Sequence, residues 1–449
     1  MDTTPQRAFY APIFNTLRQL TPMYTRPGLV GTNYVYASTS KTNSILWCKS
    51  TKSDRFGRLG TPKNTCTLRR AKQIQPIQPF TTNLTLHNQF NPSSMKDDIL
   101  IRILVSPLAL LYGLGVSLRN LLYRTGALRS IKFSLPVISI GNISAGGTGK
   151  SPHIEYLMQW LHSYIDVAVL SRGYGRKTVG YREVNPWDTA LDAGDEPLQF
   201  KKKFPEIPVT VSESRALGVP QLVKTWPNTQ CVLLDDAFQH LAVSPGLNIM
   251  LTEFANPFTR DWLLPSGRLR EWRSAYQRAD IIIVTKCPDD LTAAQRRDML
   301  AEIEPYARQK VFFSKYKYGT PYELLRPDVK RPLDLDTDAL LVSAIANTDY
   351  LLHYLGKNLK SVHTIEHEDH HYFDDGDLSE IKRRFEAIPS ANKVVVTTEK
   401  DATRLELHRE YFWKQQMTVL VQPVEVTFCD DDELLFQAEV KRFLQSFEV

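Results

Sequence analysis

From Leu135 onward the chain alternates short, nearly continuous apolar runs with longer stretches of helical spacing. "LPVISIG", "VAVLSRG", "CVLLDDA", "LNIMLTE" and "DIIIVTK" have strand length and no polar face, as strands buried on both sides should. Directly after the first of them, "PHIEYLMQWLHSY" repeats its apolar positions at helical intervals. Strands alternating with helices predict an α/β fold: a P-loop NTPase-like, doubly wound parallel sheet over residues 126–320. After about residue 320 the pattern restarts. "ALLVSAIAN", "SVHTI" and "KVVVTTEK" read as strands, and "DYLLHYLGKN" and a stretch near 377–387 as helices. This predicts a second, smaller α/β domain over residues 321–449.

Upstream, the pattern changes twice. Ile103–Leu118 carries no charge, with Arg102 before it and Arg119 and Arg124 behind it. A spanning helix needs roughly 20 apolar residues, and this run is shorter and contains Pro107, Gly113 and Gly115. Within residues 95–125 the expectation is a membrane-associated helix in the interface, its arginines reaching anionic headgroups. A buried core helix fits the same pattern. Residues 1–94 show little periodicity. They hold twelve Lys and Arg against two acidic residues, Asp2 and Asp54, and no glutamate. Three readings fit this segment: a disordered basic arm, an organellar transit segment, or sequence upstream of a true start at Met95. The third is preferred, because a self-sufficient protein begins at Met95 and nothing before it carries chemistry. The five cysteines form no C-x-x-C pair and no metal-ligand spacing, which points to reduced, structural thiols.

Chemistry concentrates where the first strand meets its helix. In "GNISAGGTGKSPH" the loop Ser144, Ala145, Gly146, Gly147, Thr148, Gly149, Lys150, Ser151 stands between strand and helix, the context of a phosphate-binding loop. Backbone N–H groups at a helix N-terminus attract phosphate. Lys150 would reach the β- and γ-phosphates of ATP, and the Ser151 hydroxyl would ligate Mg²⁺. The strict G-x-x-x-x-G-K-[ST] pattern fails at Ser144, but Gly146, Gly147 and Gly149 keep the backbone freedom. "CVLLDDAFQH" ends an apolar strand in Asp235 and Asp236, which fits a carboxylate pair holding Mg²⁺ opposite that loop. Asp195 in "AGDEPL" reads, on its own residues, as a helix N-cap with Pro197 close behind.

The ordered motifs "GNISAGGTGKSP", "VLSRGYGRK", "GDEPL", "LLDDAFQH", "LLPSGRLRE", "EDHHYF" and "TTEKDATRL" resemble the tetraacyldisaccharide 4′-kinase (lipid A 4′-kinase) family, from about Lys96 to the C-terminus. Ser144 is normal in that family; Ala237 replaces its usual glycine, and His367 stands where phenylalanine is common. The resemblance implies transfer of the ATP γ-phosphate to the 4′-hydroxyl of an acylated glucosamine disaccharide 1-phosphate, giving lipid IV-A. It implies ATP and Mg²⁺ as cofactors, no nucleic acid, and peripheral contact with the anionic cytoplasmic face of the bacterial inner membrane. It assigns catalysis to Asp195 and His370 in a cleft between the domains. Gln239, His240, Arg172 and Arg268 are expected on the substrate or phosphate side, since guanidinium forks suit phosphates. "TTEKDATRL" has no evident chemical role and reads as a strand-to-helix cap.

Two other classes compete. In a P-loop GTPase or membrane-associated switch, "IIIVTKCPDD" would read guanine, but Pro288 occupies the position that needs a carboxylate. A non-catalytic membrane-binding relic would not be expected to keep Lys150, Ser151, Asp195, Asp235, Asp236 and His370 together.

Overall fold

The apolar runs become the centre of two sheets in the computed structural model, which describes residues 99–447. The expectations for residues 1–94, and for a start at Met95, lie outside the described residues. The first eight strands are β1 (Val137–Asn142), β2 (Val167–Ser171), β3 (Arg182–Glu183), β4 (Val209–Val211), β5 (Cys231–Asp235), β6 (Leu247–Glu253), β7 (Ile281–Thr285) and β8 (Lys310–Tyr318). Then come β9 (Tyr322–Glu323), β10 (Arg326–Lys330), β11 (Asp338–Ser343), β12 (Ser361–Glu366), β13 (Lys393–Thr398), β14 (Val419–Gln422) and β15 (Val424–Phe428).

The larger sheet runs β15-β8-β7-β6-β1-β5-β2-β4-β3. Its interior strands are parallel, and only the edges β15 and β3 are antiparallel. β1 is flanked by β5 and β6, so strand order reverses there. In open α/β sheets such a switch point leaves a crevice beyond the carboxyl ends of the strands. The helix Lys150–His162 leaves β1 and packs on the sheet through buried Ile154, Leu157, Met158 and Leu161, spaced i, i+3, i+4, i+7. Each such buried side chain contributes about 1.5–3 kcal/mol of transfer free energy.

The smaller sheet runs β10-β9-β14-β13-β11-β12, with β14, β13, β11 and β12 parallel. Its crossovers follow β11 and β12 through the helices Asp349–Asn358 and Asp375–Glu386. The expected unit 321–449 does not hold together as one sheet. After β14 the chain returns to the larger sheet, where β15 pairs with β8. The last helix, Asp432–Gln445, buries Phe436 and Val440 in the core that includes Ile154 and Met158. Physically, β8 is a sheet edge and needs a partner, and Phe428 and Phe436 complete the apolar cover behind the helix Lys150–His162.

The N-terminal helix spans Ile99–Arg124, and the core-helix alternative fails. Leu104, Leu111 and Leu114 are 78, 65 and 65% exposed. Leu104, Leu108, Leu111, Leu114 and Leu118 form one exposed stripe, while Ala109, Gly113 and Val116 face the protein. A Cβ on Gly113 would meet the Trp272 ring at 2.3 Å, so only glycine allows this approach. Trp272 Nε1 donates to the Ser117 hydroxyl at 2.9 Å, and the Tyr112 hydroxyl to the Arg270 carbonyl at 2.8 Å. By length and composition, Arg102–Arg124 also suffices to cross a membrane.

Candidate active site

The carboxyl ends of both parallel sheets open on one cavity of about 870 Å³. The larger sheet contributes residues after β1, β2 and β5; the smaller contributes residues after β11, β12 and β13. The switch point of each sheet therefore faces the other.

The glycine loop forms its floor. Gly149 adopts φ 88°, and a Cβ there would lie 2.8 Å from the Tyr316 hydroxyl, so glycine is required on both counts. The loop is held from behind. Asn142 Nδ2 donates to the Thr148 hydroxyl at 2.8 Å, and the Thr285 hydroxyl to the Thr148 carbonyl at 2.9 Å. Residues 268–270 run alongside: Ala145 N–H donates to the Arg268 carbonyl at 2.6 Å and Arg270 N–H to the Ile143 carbonyl at 2.7 Å. Ala145 to Ser151 line the cavity; Ser144 does not, being buried in a bridge with Leu269. His153, one turn into the helix, is enclosed between the Gly149 carbonyl and the Ser314 hydroxyl. Burial pushes it down to about 4, so it is a neutral brace.

Lys150, Asp235 and Asp236 all line the cavity. Lys150 Nζ lies 3.8 Å from Asp236 Oδ2, which also takes a 3.0 Å bond from Arg270. Asp236 sits at φ 43°, which turns it off the strand. Burial alone would raise its carboxyl, but Lys150 and Arg270 hold it below the ordinary range. Asp235 accepts from the Ser171 hydroxyl at 2.6 Å. Burial, and then the charge of Glu196, push it up to about 7. The Oδ1 atoms of both aspartates are buried without a hydrogen-bond partner. Unspent hard oxygens of this kind are what a Mg²⁺ ion takes as ligands, and the Ser151 hydroxyl lines the same cavity. Ser151 meanwhile donates to Glu196 at 3.3 Å.

The smaller sheet supplies His370, after β12, and Lys400, after β13. His370 Nδ1–H donates to Asp195 Oδ2 at 2.8 Å, and Lys400 Nζ lies 3.3 Å from His370 Nε2. An ammonium only donates, so these partners fix the imidazole proton on Nδ1 and make Nε2 the acceptor of the Lys400 hydrogen bond. His370 adopts φ 65°, and its ring lies 4.7 Å from that of Tyr174. Asp195, the first residue of the helix Asp195–Lys203, is buried behind the histidine and does not line the cavity. Burial opposes its charge, yet the His370 hydrogen bond, Lys400 and Arg404 hold its carboxyl down to about 2. Burial would likewise lower Lys400, but Glu196, Asp195 and Asp369 hold it protonated.

The remaining expected residues divide. Arg172 lines the cavity. Arg268 does not: its side chain is paired with Asp261 at 2.9 Å, and only its carbonyl touches the loop. Arg270, two residues on, faces the cavity instead. Gln239 lines the wall and donates to the Asn142 carbonyl at 2.7 Å. His240 also lines it; burial, helped by Arg215, drives it down to about 4, and it accepts from the Arg215 N–H at 3.2 Å. Glu196, Lys400 and Arg404 were not singled out beforehand. The available signal for Lys400 was its position just past an apolar strand. "TTEKDATRL" is indeed a cap, since the Thr398 hydroxyl accepts from Asp401 N–H, and it delivers Lys400 to the site as well. In "VTKCP", Lys286 is buried against Glu253, and Pro288 stands where a guanine-reading carboxylate would be needed.

A glycine loop at the switch point, with strand-end carboxylates across from it, defines a P-loop nucleotide-binding protein. The family described as Tetraacyldisaccharide-1-P 4′-kinase matches residues 101–444, and the chain belongs to it. It is 38% identical over 344 residues to a tetraacyldisaccharide 4′-kinase of Phocaeicola vulgatus, covering 76% of this chain and 94% of that one. It is 40% identical over 337 residues to one of Porphyromonas gingivalis, covering 74% and 94%. Among solved structures, LpxK from Aquifex aeolicus in complex with ATP matches with a TM-score of 0.58 at 25% identity, covering 77% of this chain and all of that one.

Proposed function

We propose that the protein transfers the γ-phosphate of ATP to the 4′-hydroxyl of a tetraacylated glucosamine disaccharide 1-phosphate. The observation that carries this reading is the Asp195–His370 pair, which spans the two sheets and presents one basic nitrogen to the cavity floored by the glycine loop. The acceptor oxygen attacks the γ-phosphorus, the bond to the β-phosphate oxygen breaks, and ADP leaves. The hydroxyl proton passes to His370 Nε2, and Asp195 stabilises the imidazolium formed. Lys150 and Arg270 face the phosphoryl oxygens, where charge develops in the transition state. Lys400 holds the imidazole until the acceptor hydroxyl displaces it. Ser151, Asp235 and Asp236 would hold Mg²⁺, which neutralises phosphate charge when bound.

The lipid acceptor accounts for the N-terminal helix. Its exposed leucine stripe suits acyl chains, and Tyr112 and Arg119 on the same helix line the cavity mouth. The helix thus links a membrane surface to the site, in keeping with the cytoplasmic face of the inner membrane. The test is phosphate transfer by the full chain, mixed with Mg²⁺ and tetraacyldisaccharide 1-phosphate in detergent micelles, with ATP or GTP as donor. Transfer to the 4′ position from ATP, lost in K150A, is expected. A folded, ATP-binding protein that phosphorylates no disaccharide would overturn the reading.

A further inference from the structure

Behind His370, outside the cavity, the same loop carries a second cluster. His367 and His371 stack with ring centroids 4.4 Å apart and planes 4° from parallel. Both face Asp377, at the third position of the helix Asp375–Glu386. His371 Nε2 lies 2.7 Å from Asp377 Oδ2, and His367 Nδ1 lies 3.9 Å from Asp377 Oδ1. One donor atom from each residue lies within 4.8 Å of the other two.

The packing of half-buried His367 against His371 and Phe373 leaves its hydrogen-bonding unexplained. At 3.9 Å its Nδ1 is too far from the carboxylate for a hydrogen bond. Its Nε2 is buried without a partner. A buried imidazole nitrogen left without a partner is costly unless something fills the gap. Both rings stand edge-on against Phe373, at 5.5 and 5.6 Å, which fixes their orientation. Two imidazoles and a carboxylate are donors for a borderline divalent ion such as Zn²⁺. Mg²⁺ and Ca²⁺ take oxygen ligands instead. The carboxylate is itself anchored, since Asp377 Oδ2 accepts the Asp374 N–H at 2.8 Å, the outer support that metal ligands commonly have. The donors are close enough that rotation of the stacked rings toward a common point would give the roughly 2.0–2.2 Å bonds of zinc, with a fourth position left for water.

We propose that His367, His371 and Asp377 form a zinc-class divalent metal site that braces the loop carrying His370. His371 is the next residue, and its carbonyl accepts from Arg404 at 2.8 Å. Metal there would tie β12's exit to the following helix and hold the left-handed turn at His370.

The full chain, without ATP and with excess Mg²⁺ occupying the oxygen-ligand site, is dialysed against Zn²⁺ and separately against Co²⁺. H367F keeps a ring against Phe373 but has no donor; H367N serves if H367F does not fold. The wild type should retain one more equivalent of Zn²⁺ than the variant. Its Co²⁺ form should show visible d–d absorption that the variant lacks, and Zn²⁺ should raise its Tm while leaving that of the variant unchanged. Equal metal retention by wild type and variant, or no retention by either, would overturn the proposal.

Discussion

His370 Nδ1 and Asp195 Oδ2 lie 2.8 Å apart although 175 residues separate them in the chain. One belongs to a loop of the smaller sheet and the other to a helix of the larger, so the basic nitrogen exists in its working form only when the two halves are docked. D195N keeps the shape but removes the charge that orients and stabilises the imidazole. Turnover should fall about 10²–10⁴-fold, the scale of general base catalysis, with ATP affinity unchanged. Steady-state kinetics beside direct ATP binding checks this, and wild-type turnover in D195N would remove the pair from the mechanism.

Lys150 is the cation of the glycine loop, 3.8 Å from Asp236. K150A should reduce kcat about 10²–10³-fold, the effect of losing one donor aimed at transition-state charge. Transfer of labelled phosphate from ATP measures it, with circular dichroism to confirm that the variant folds.

Lys400 stands among Asp195, Glu196 and Asp369 and reaches His370 Nε2. K400M removes the ammonium that pairs with the carboxylates of Asp195, Glu196 and Asp369 around the histidine. A roughly 10- to 100-fold lower kcat is expected, corresponding to about 1.5–3 kcal/mol. A variant with normal kcat would restrict Lys400 to a structural role.

The leucine stripe makes a separate prediction. Replacing exposed Leu111 and Leu114 by glutamate should weaken binding to anionic vesicles by more than ~100-fold, since each buried leucine contributes about 1.5–3 kcal/mol. ATP binding should survive, and transfer to a lipid acceptor should fall. Vesicle flotation at two salt concentrations also reports the arginine contribution, which salt screens.

Lys203 joins Glu155, on the helix that follows the glycine loop, to Glu399, beside Lys400. One ammonium faces two carboxylates. Burial, and then the charge of Glu399, push Glu155 up to about 7. A carboxyl raised in the folded state holds its proton there, so its contribution to stability falls as pH rises from the ordinary carboxylate range through 7. E155Q removes that fall. The variant should gain stability relative to wild type between pH 5 and pH 8, on the order of 1–3 kcal/mol. Urea unfolding at the two pH values decides it; a difference independent of pH would show that Glu155 does not titrate there.

The central strands were legible because a strand covered on both faces has no room for polar residues, and both sheets announce themselves that way. The glycine loop, Asp235 and Asp236 were legible because phosphate chemistry needs few residue types at fixed spacing. Lys400 was hidden because one lysine after a strand is also what a helix start looks like. Arg268 and Arg270 are chemically alike two residues apart, and only the path of the backbone decides which one faces the cavity. The return of β15 was illegible for a different reason. "VEVTF" and the helix after it would suit either sheet, and the free edge that recruits them appears only in three dimensions.

That return has a consequence for synthesis. Residues 322–422 are threaded into the larger sheet between its neighbours β8 and β15. On the ribosome the phosphate-binding loop emerges early. The edge of its sheet stays open, and the apolar back of its helix uncovered, until Phe428 and Phe436 appear. A chain that stopped before β15 would keep every catalytic group named here and still display a raw strand edge, a template for aggregation.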